Sequence, residues 1–492
     1  MPAMNEIFLL FPILIPLAGG LGIWLLRGVS RTFRNIFTEL VVIINAVMVF
    51  VLICCRPQGE LLILRFTDIM PIKLRLDGLG SFFAGMTAFL WIFVTIYAFA
   101  YMKDEHHERM FFTFFTVTFA ATQGICMAGN LITMYFFYEM LTLVTIPLVL
   151  HGCRKRDMHA ARVYAAYQLG GAAFAFVGIV VLTVACGGCD FILGGNMPDG
   201  SQADTVMQII YLFMLLGFGV KACVFPFYRW LPIASVAPTP VTALLHSVAV
   251  VKAGIFAIMR MTYYNFGADF LYGTTVQYVG LSLVIFTAVF AAVLAVRERH
   301  FKRRLAYSTV SNLSYILTGV LLMTEAGFAA GLCHMIFHAV MKLNSFLCAG
   351  AFIKQTGRAY IYEIDGIGKK MPVTFACYTV SALALTGIPP LCGFVSKWQL
   401  VSACVDAKTT LAYIGGVGLI AAALLTAIYM LSVSVRAFFP RSDRILSDDS
   451  GIREAPALML IPMILFAFLC VALGIASAPV TELCRNIVGG LI

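Results

Sequence analysis

Apolar runs of about 17 to 25 residues, each closed by a short polar connection, fill almost the whole sequence. An α-helix of that length crosses a hydrocarbon core of ~30 Å. Fourteen spans are predicted, near 6–26, 36–55, 79–101, 111–128, 130–150, 163–186, 206–232, 241–262, 274–296, 305–323, 327–352, 372–404, 411–435 and 456–477. The fold class read from this pattern is an all-α integral membrane protein of about 14 transmembrane helices. Three polar connections exceed a dozen residues, roughly 56–78, 187–205 and 436–455. None is long enough to fold as a soluble domain, which leaves no room for a nucleotide-binding or cluster-binding module. The stretch DGIGKK (365–370) sets glycines beside a lysine but lacks the spacing and the Ser/Thr of a phosphate loop, and reads as a turn. The opening MPAMNEI has no basic lead, so the first span is expected to stay in the protein instead of being cleaved as a signal.

Composition agrees. Of 492 residues 61% are hydrophobic and 12% charged, against ~25% charged in a soluble domain. Charge then orients the spans: 23 of the 34 Lys and Arg fall in alternate connections, at 27–35, 102–110, 151–162, 229, 297–304, 353–371 and 436–455. By the positive-inside rule these face the cytoplasm. The expectation is a multi-pass protein of the cell (cytoplasmic) membrane with both termini on the outer side. The net charge of +10 follows from this topology and from attraction to the lipid bilayer, with no nucleic acid implied. Most of the 14 cysteines stand singly inside apolar runs, where a thiol acts as a small hydrophobe. Cys186 and Cys189 alone have a chelating spacing, and two ligands are half a metal site. No metal or other cofactor is expected in this chain.

Ionisable residues at mid-span are the informative ones, since each costs about 2.5 to 3.5 kcal/mol on the lenient insertion scale. Glu139, Lys221, Lys252, Lys342 and Lys397 qualify. A lysine stem of about 6 Å can lift its ammonium to the interface only near a helix end; from mid-span the distance is roughly 15 Å. Structural pairing is the competing explanation, but one glutamate neutralises at most one of four lysines. The others must be hydrated or partly deprotonated, and an amine in that balance can take and release a proton.

His334, His338 and Lys342 recur every four residues and so share one helix face. This stripe covers ~12 Å and can carry a proton part-way along the helix with waters between. His246 alone would more often be a hydrogen-bonded core residue; six residues before Lys252 it joins the set. Two spans are interrupted by proline, at Pro226 after Lys221 and at Pro389 and Pro390 before Lys397. Broken helices at membrane depth require surrounding protein or a water-filled cavity, and they mark ion sites in inverted-repeat transporters. The breaks lie in spans seven and twelve, five apart. That spacing predicts N-terminal helices 1–3 (1–110), a first five-helix repeat of helices 4–8 (111–262), an inverted second repeat of helices 9–13 (263–437) and a C-terminal helix 14 (438–492).

The blocks FFYEMLTLVTIPL (136–148), VKACVFPFYRWLPIASVAPTPVTALLHSVAVVKAGIF (220–256), FKRRLAYSTVSNLSY (301–315), HMIFHAVMKLNSFLCAGA (334–351) and GIPPLCGFVSKW (387–398) resemble the antiporter-like membrane subunits of respiratory complex I. Mrp-type multisubunit sodium/proton antiporters and membrane-bound energy-converting hydrogenases are relatives of that family. The resemblance runs from about 80 to 440 and keeps the order of the blocks. It implies that Glu139 is the fifth-helix glutamate and Lys221 its partner on the broken seventh helix. Lys252 and His246 match eighth-helix relay positions, Lys342 with His334 and His338 a central connecting site, and Lys397 a terminal site. As the resemblance implies it, a proton enters from the cytoplasm to Lys221 while Glu139 stabilises the charge. Loosening that pair drives the proton through Lys252 and Lys342 towards Lys397.

The implied partners are other membrane subunits of one complex, including further antiporter-like subunits, together with protons; whether sodium also moves is open. No catalytic redox centre is expected in this chain. Ile233 stands where many members carry Asp, and Lys397 separates the chain from a sibling with glutamate there. The chain ends about fifteen residues after span fourteen, without the long lateral helix of the largest complex I member. The 236–256 block reads nearest the Mrp D-type and hydrogenase branch, the other reading being a member of complex I itself. A stand-alone secondary transporter of a cation or small solute would also use broken helices, but would gather its polar residues round one pocket. A purely structural scaffold gives no reason for five mid-span charges.

Overall fold

Apolar runs bounded by capping residues become helices throughout the computed structural model, which describes residues 5–26, 28–57, 59–197, 204–440 and 451–489. The first part of the chain supplies α1 (Phe11–Leu25), α2 (Arg31–Cys55), α3 (Gly78–Tyr101), α4 (Glu108–Cys126), α5 (Leu131–Val149) and α6 (Lys155–Cys186). Short polar side chains start several of them: Ser30 accepts from Phe33 N, Asp77 from Gly80 N and Asn130 from Thr133 N. Each satisfies one of the amides that a helix start leaves unpaired. The chain then runs through α7 (Thr205–Lys221), α8 (Trp230–Ala234), α9 (Thr239–Ser247), α10 (Val250–Arg260) and α11 (Ala268–Leu271). The second part comprises α12 (Thr275–Arg297), α13 (Phe301–Leu321), α14 (Glu325–Thr356), α15 (Pro372–Thr386), α16 (Cys392–Asp406), α17 (Thr410–Phe438), α18 (Ala457–Ile475) and α19 (Ala478–Val488).

Ten helical segments among the described residues are long and apolar enough to cross a membrane, and the chain is a mostly helical, multi-pass membrane protein. The other four predicted spans fall on α4, α7, α13 and the α15–α16 pair, which are too short or too polar for that criterion. Their surroundings explain it: nearly all of α13 is buried, so its hydroxyls and amide face protein and not lipid. The centre is α14, 32 residues long, whose walls are α13, α15, α16, α9 and α18. Thr324 caps its start and Gly357, at φ +70°, ends it.

Two elements lie outside the fourteen predicted spans. The connection 56–78 holds an antiparallel hairpin, β1 (Leu61–Arg65) with β2 (Pro71–Leu74), paired Leu61 to Leu74 and Leu62 to Lys73. The apolar run LLIL is too short to span a bilayer and long enough for a strand. Lys73 fixes the hairpin to the bundle: its Nζ donates to Glu60 and Asp190, both at 2.7 Å, and its backbone N to Thr133 Oγ1 on α5. The second element is α19, which turns one side, Cys484 and Val488, inward against α14. The connections 187–205 and 436–455 lie partly outside the described residues.

Helix continuity fails at three places. α7 stops at Lys221, and the chain passes through Pro226 and a 3-10 turn before α8. α15 stops at Thr386, and Gly387 to Leu391 link it to α16. The third break, at Val248 and Ala249 between α9 and α10, carries neither proline nor glycine. Each break leaves carbonyls without helical partners, and each lies beside a lysine.

Candidate functional site

Lys221, Lys252 and Lys342 are wholly buried and Lys397 is 7% exposed, so every ammonium must find its partners inside the protein. Lys397 finds them in the broken helix. Its Nζ donates to Leu385 O at 2.5 Å and Thr386 O at 3.4 Å, two carbonyls freed at the end of α15, and lies 4.9 Å from the centre of the Tyr315 ring. The turn that permits this is tight: a Cβ on Gly393 would stand 1.8 Å from Ala384 O. Gly393→Ala therefore forces α15 and α16 apart. Overpacking of this kind costs about 1 to 3 kcal/mol, and the expected result is a lower thermal midpoint for the purified protein.

From Lys397 a polar line crosses α16, α14 and α10. Tyr315 stacks on His334 with ring centres 5.5 Å apart, and His334 on His338 at 6.0 Å. His334 Nε2 lies 3.3 Å from Asn312 Oδ1, an acceptor, so Nε2 carries the hydrogen and Nδ1 accepts from Ser396 Oγ at 2.8 Å. Ser396 sits next to Lys397 on α16. At the other end His338 Nδ1 is 3.1 Å from Lys252 Nζ, which also donates to Met335 O at 3.0 Å. His338 Nε2 is buried without a protein partner. An amine facing an imidazole nitrogen is a donor–acceptor pair across which a proton can pass.

Lys342 stands beside this line. Its Nζ donates to Ser308 Oγ at 2.6 Å, and Tyr429 OH donates to the same oxygen at 2.8 Å. Tyr429 OH also lies 3.0 Å from Thr426 Oγ1, so the branch leads to α17. His246 is further away, with Nε2 3.4 Å from Ser235 Oγ and its ring 4.8 Å from Phe346. Nδ1 of His246 is buried without a protein partner.

Lys221, at the last residue of α7, donates to Tyr138 O and Thr142 Oγ1 on α5, both at 2.9 Å, and its Nζ sits 3.4 Å over the Tyr138 ring. Glu139 is the next residue on α5, but among the described residues no ion pair joins it to Lys221, and its Oε1 has no protein partner. Gly254 brings α10 against the end of α7, where a Cβ would lie 2.6 Å from Ala222 N. The helix that carries Lys252 thus packs directly on the end of the helix that carries Lys221.

Several members of this arrangement are not evident from sequence. Ser308, Asn312, Tyr315, Ser396 and Tyr429 are neutral; the first three share the polar run YSTVSNLSY (307–315) inside an apolar span, and Ser396 and Tyr429 carry no signal at all. Glu39, an ionisable residue on α2 that sequence reasoning missed, has both carboxylate oxygens buried without a protein partner. Cys186 Sγ contacts Met197 Sδ at 3.9 Å and both Cys186 and Cys189 are free thiols. Among the described residues no cluster of three or more His, Cys, Asp or Glu could hold a metal ion.

Residues 128–426 match the model of the NADH:quinone oxidoreductase/Mrp antiporter transmembrane family. The chain is 30% identical over 418 residues to an NADH-quinone oxidoreductase subunit N of Desulforudis audaxviator, covering 82% of each. It is 28% identical to a probable K(+)/H(+) antiporter component of Rhizobium meliloti, covering 83% of this chain and 40% of that one. It thus spans well under half of the latter protein. Its fold is shared with a chain of the archaeal membrane-bound sulfane sulfur reductase and with one of the Mrp complex from Dietzia. Both superpose with a TM-score of 0.86 over 99% of this chain, at 21% identity.

Proposed function

The chain belongs to the NADH:quinone oxidoreductase/Mrp antiporter transmembrane family, and from that membership we propose that it is the proton-translocating, antiporter-like subunit of a multisubunit membrane complex. The observation that carries this reading is the buried polar line from Lys252 through His338, His334 and Ser396 to Lys397. It packs titratable groups one against the next, hydrogen-bonded at Lys252–His338 and His334–Ser396 and stacked ring on ring between the two imidazoles, which neither a scaffold nor a single solute pocket requires. In this reading the proton reaches Lys221, where Glu139 modulates its charge, then passes to Lys252 and along the line to Lys397, with water filling the wider gaps. The fourteen-span organisation with two inverted five-helix repeats belongs to the same proposal. The proline-bearing breaks beside Lys221 and Lys397 support it, because equivalent halves would place one such break each.

Lys342 serves in this scheme as a side station, tuned by Ser308 and Tyr429. Ser308→Ala removes the hydroxyl that receives its ammonium, and a hydrogen bond to a charged group contributes about 1.5 to 3 kcal/mol. Proton flux in reconstituted vesicles is expected to fall by about tenfold. Energy for net movement comes from a partner's redox reaction or from an opposing ion gradient. The test is purification of the membrane complex through this chain, followed by native mass spectrometry and vesicle acidification. Co-purifying membrane subunits and proton flux support the reading; a chain that purifies alone and carries an organic solute contradicts it.

A further inference from the structure

The basic end of the bundle holds a cavity of about 290 Å³ whose lining includes Arg156, His159, Arg229, His300, Arg303 and Tyr360. Among the described residues no Asp or Glu lines it. The acids bonded to its rim are turned to backbone amides: Glu298 reaches Arg303 only at 3.9 Å and is otherwise engaged by the amides of Arg299 and His300, and Glu363 by those of Ala359 and Tyr360. Two helices begin at this cavity: α6, with Arg156 and His159 in its first turns, and α13, for which His300 is the N-cap. Both present the positive ends of their dipoles there. Burial first, and then the charges of Arg303, Lys302 and Arg156, push the pKa of His300 down to about 4. Arginines, a tyrosine and two helix starts around an acid-free hollow are what a phosphate group requires.

A second concavity, about 440 Å³ and almost wholly apolar, opens along the same helix. Tyr167, Gly170 and Phe174 of α6 line it with Phe213 and Val220 of α7, and Phe227 closes it next to Arg229. Residues 156, 159, 163, 167, 170 and 174 follow the helical repeat, so both concavities lie on one stripe of α6. From His159 to Gly170 the helix rises roughly 16 Å. A charged hollow at the membrane boundary, continued inward by an apolar groove, has the polarity of a single phospholipid.

We propose that this stripe of α6 is a binding site for one anionic phospholipid, with the phosphate in the arginine-lined cavity and an acyl chain in the groove against Phe174, Phe213 and Phe227. The groove separates this occupant from a free phosphate, which would use the cavity alone. The site uses none of the residues of the proton line.

The complex purified through this chain is delipidated in detergent and titrated with dioleoyl phosphatidylglycerol, dioleoyl phosphatidylcholine or inorganic phosphate. Lipid bound to this chain is then counted by native mass spectrometry. One phosphatidylglycerol is expected to bind at least tenfold more tightly than phosphatidylcholine. The double substitution Arg156→Gln with Arg229→Gln should erase that preference. Gly170→Trp fills the groove at a position where a Cβ meets nothing within 4 Å; it should weaken phosphatidylglycerol at least tenfold and leave competition by inorganic phosphate unchanged. Equal binding of the two lipids overturns the proposal, as does phosphatidylglycerol binding that survives both variants. Competition by millimolar phosphate with no effect of Gly170→Trp also overturns it, in favour of a free-anion site.

Discussion

Lys221→Ala is expected to abolish proton translocation, by at least about a hundredfold, while the chain still assembles into its complex. The amine removed is wholly buried at the last residue of α7, and two acceptors of α5, Tyr138 O and Thr142 Oγ1, hold it. In the proposed path its loss takes away the first proton carrier, and no other basic side chain donates to those acceptors among the described residues. Assembly should survive because a buried charge that needs partners contributes little net stability. Glu139→Ala should give the same loss for a different reason, since it leaves Lys221 in place and removes the carboxylate to which the proposal assigns the modulation of its charge. Vesicle acidification measures the first quantity and co-purification of the other subunits the second. Wild-type flux in either variant removes that residue from the mechanism; a complex that falls apart would make the residue structural.

The second large effect concerns the contact between α10 and α14. Lys252→Met and His338→Leu are each expected to lower flux by about a hundredfold, and the double variant should be no worse than either, because residues acting as one unit are not additive. The reason is the 3.1 Å approach of Lys252 Nζ to His338 Nδ1. Through it, in the proposed path, the proton goes from Lys252 to the imidazole pair without Lys342, whose Nζ donates to Ser308. Lys342→Met should therefore lose only about tenfold. If Lys342→Met silences the protein while His338→Leu is tolerated, the proton follows the lysines directly and the imidazoles are packing.

This order differs from the one implied by the lysines alone, and the difference shows what the sequence could carry. Apolar run length made the multi-pass helical bundle legible. Lysines at mid-run stood out because burying a charge is expensive whatever surrounds it. The stripe of His334, His338 and Lys342 was visible as a period of four, but their partners were not: that His338 meets Lys252 and Lys342 meets Ser308 is decided by which helices pack together. Serine and tyrosine in a span carry no comparable penalty, so Ser308 and Tyr315 showed only as part of one polar run and Ser396 and Tyr429 gave no signal. The break before Lys252 falls at Val248 and Ala249, both fully buried, with neither proline nor glycine to mark it in the sequence. The hairpin at Leu61–Leu74 was hidden for the opposite reason, as a short apolar run in a connection that otherwise reads as polar.

The central claim is that buried amines gain and lose protons during turnover. Infrared difference spectroscopy on the complex, with lysine labelled by ¹⁵N at Nζ, tests it most directly. The account predicts isotope-shifted ammonium bands that change when the complex is energised and that are lost in Lys252→Met. Ammonium bands that stay constant through turnover, in a preparation that moves protons, would contradict it.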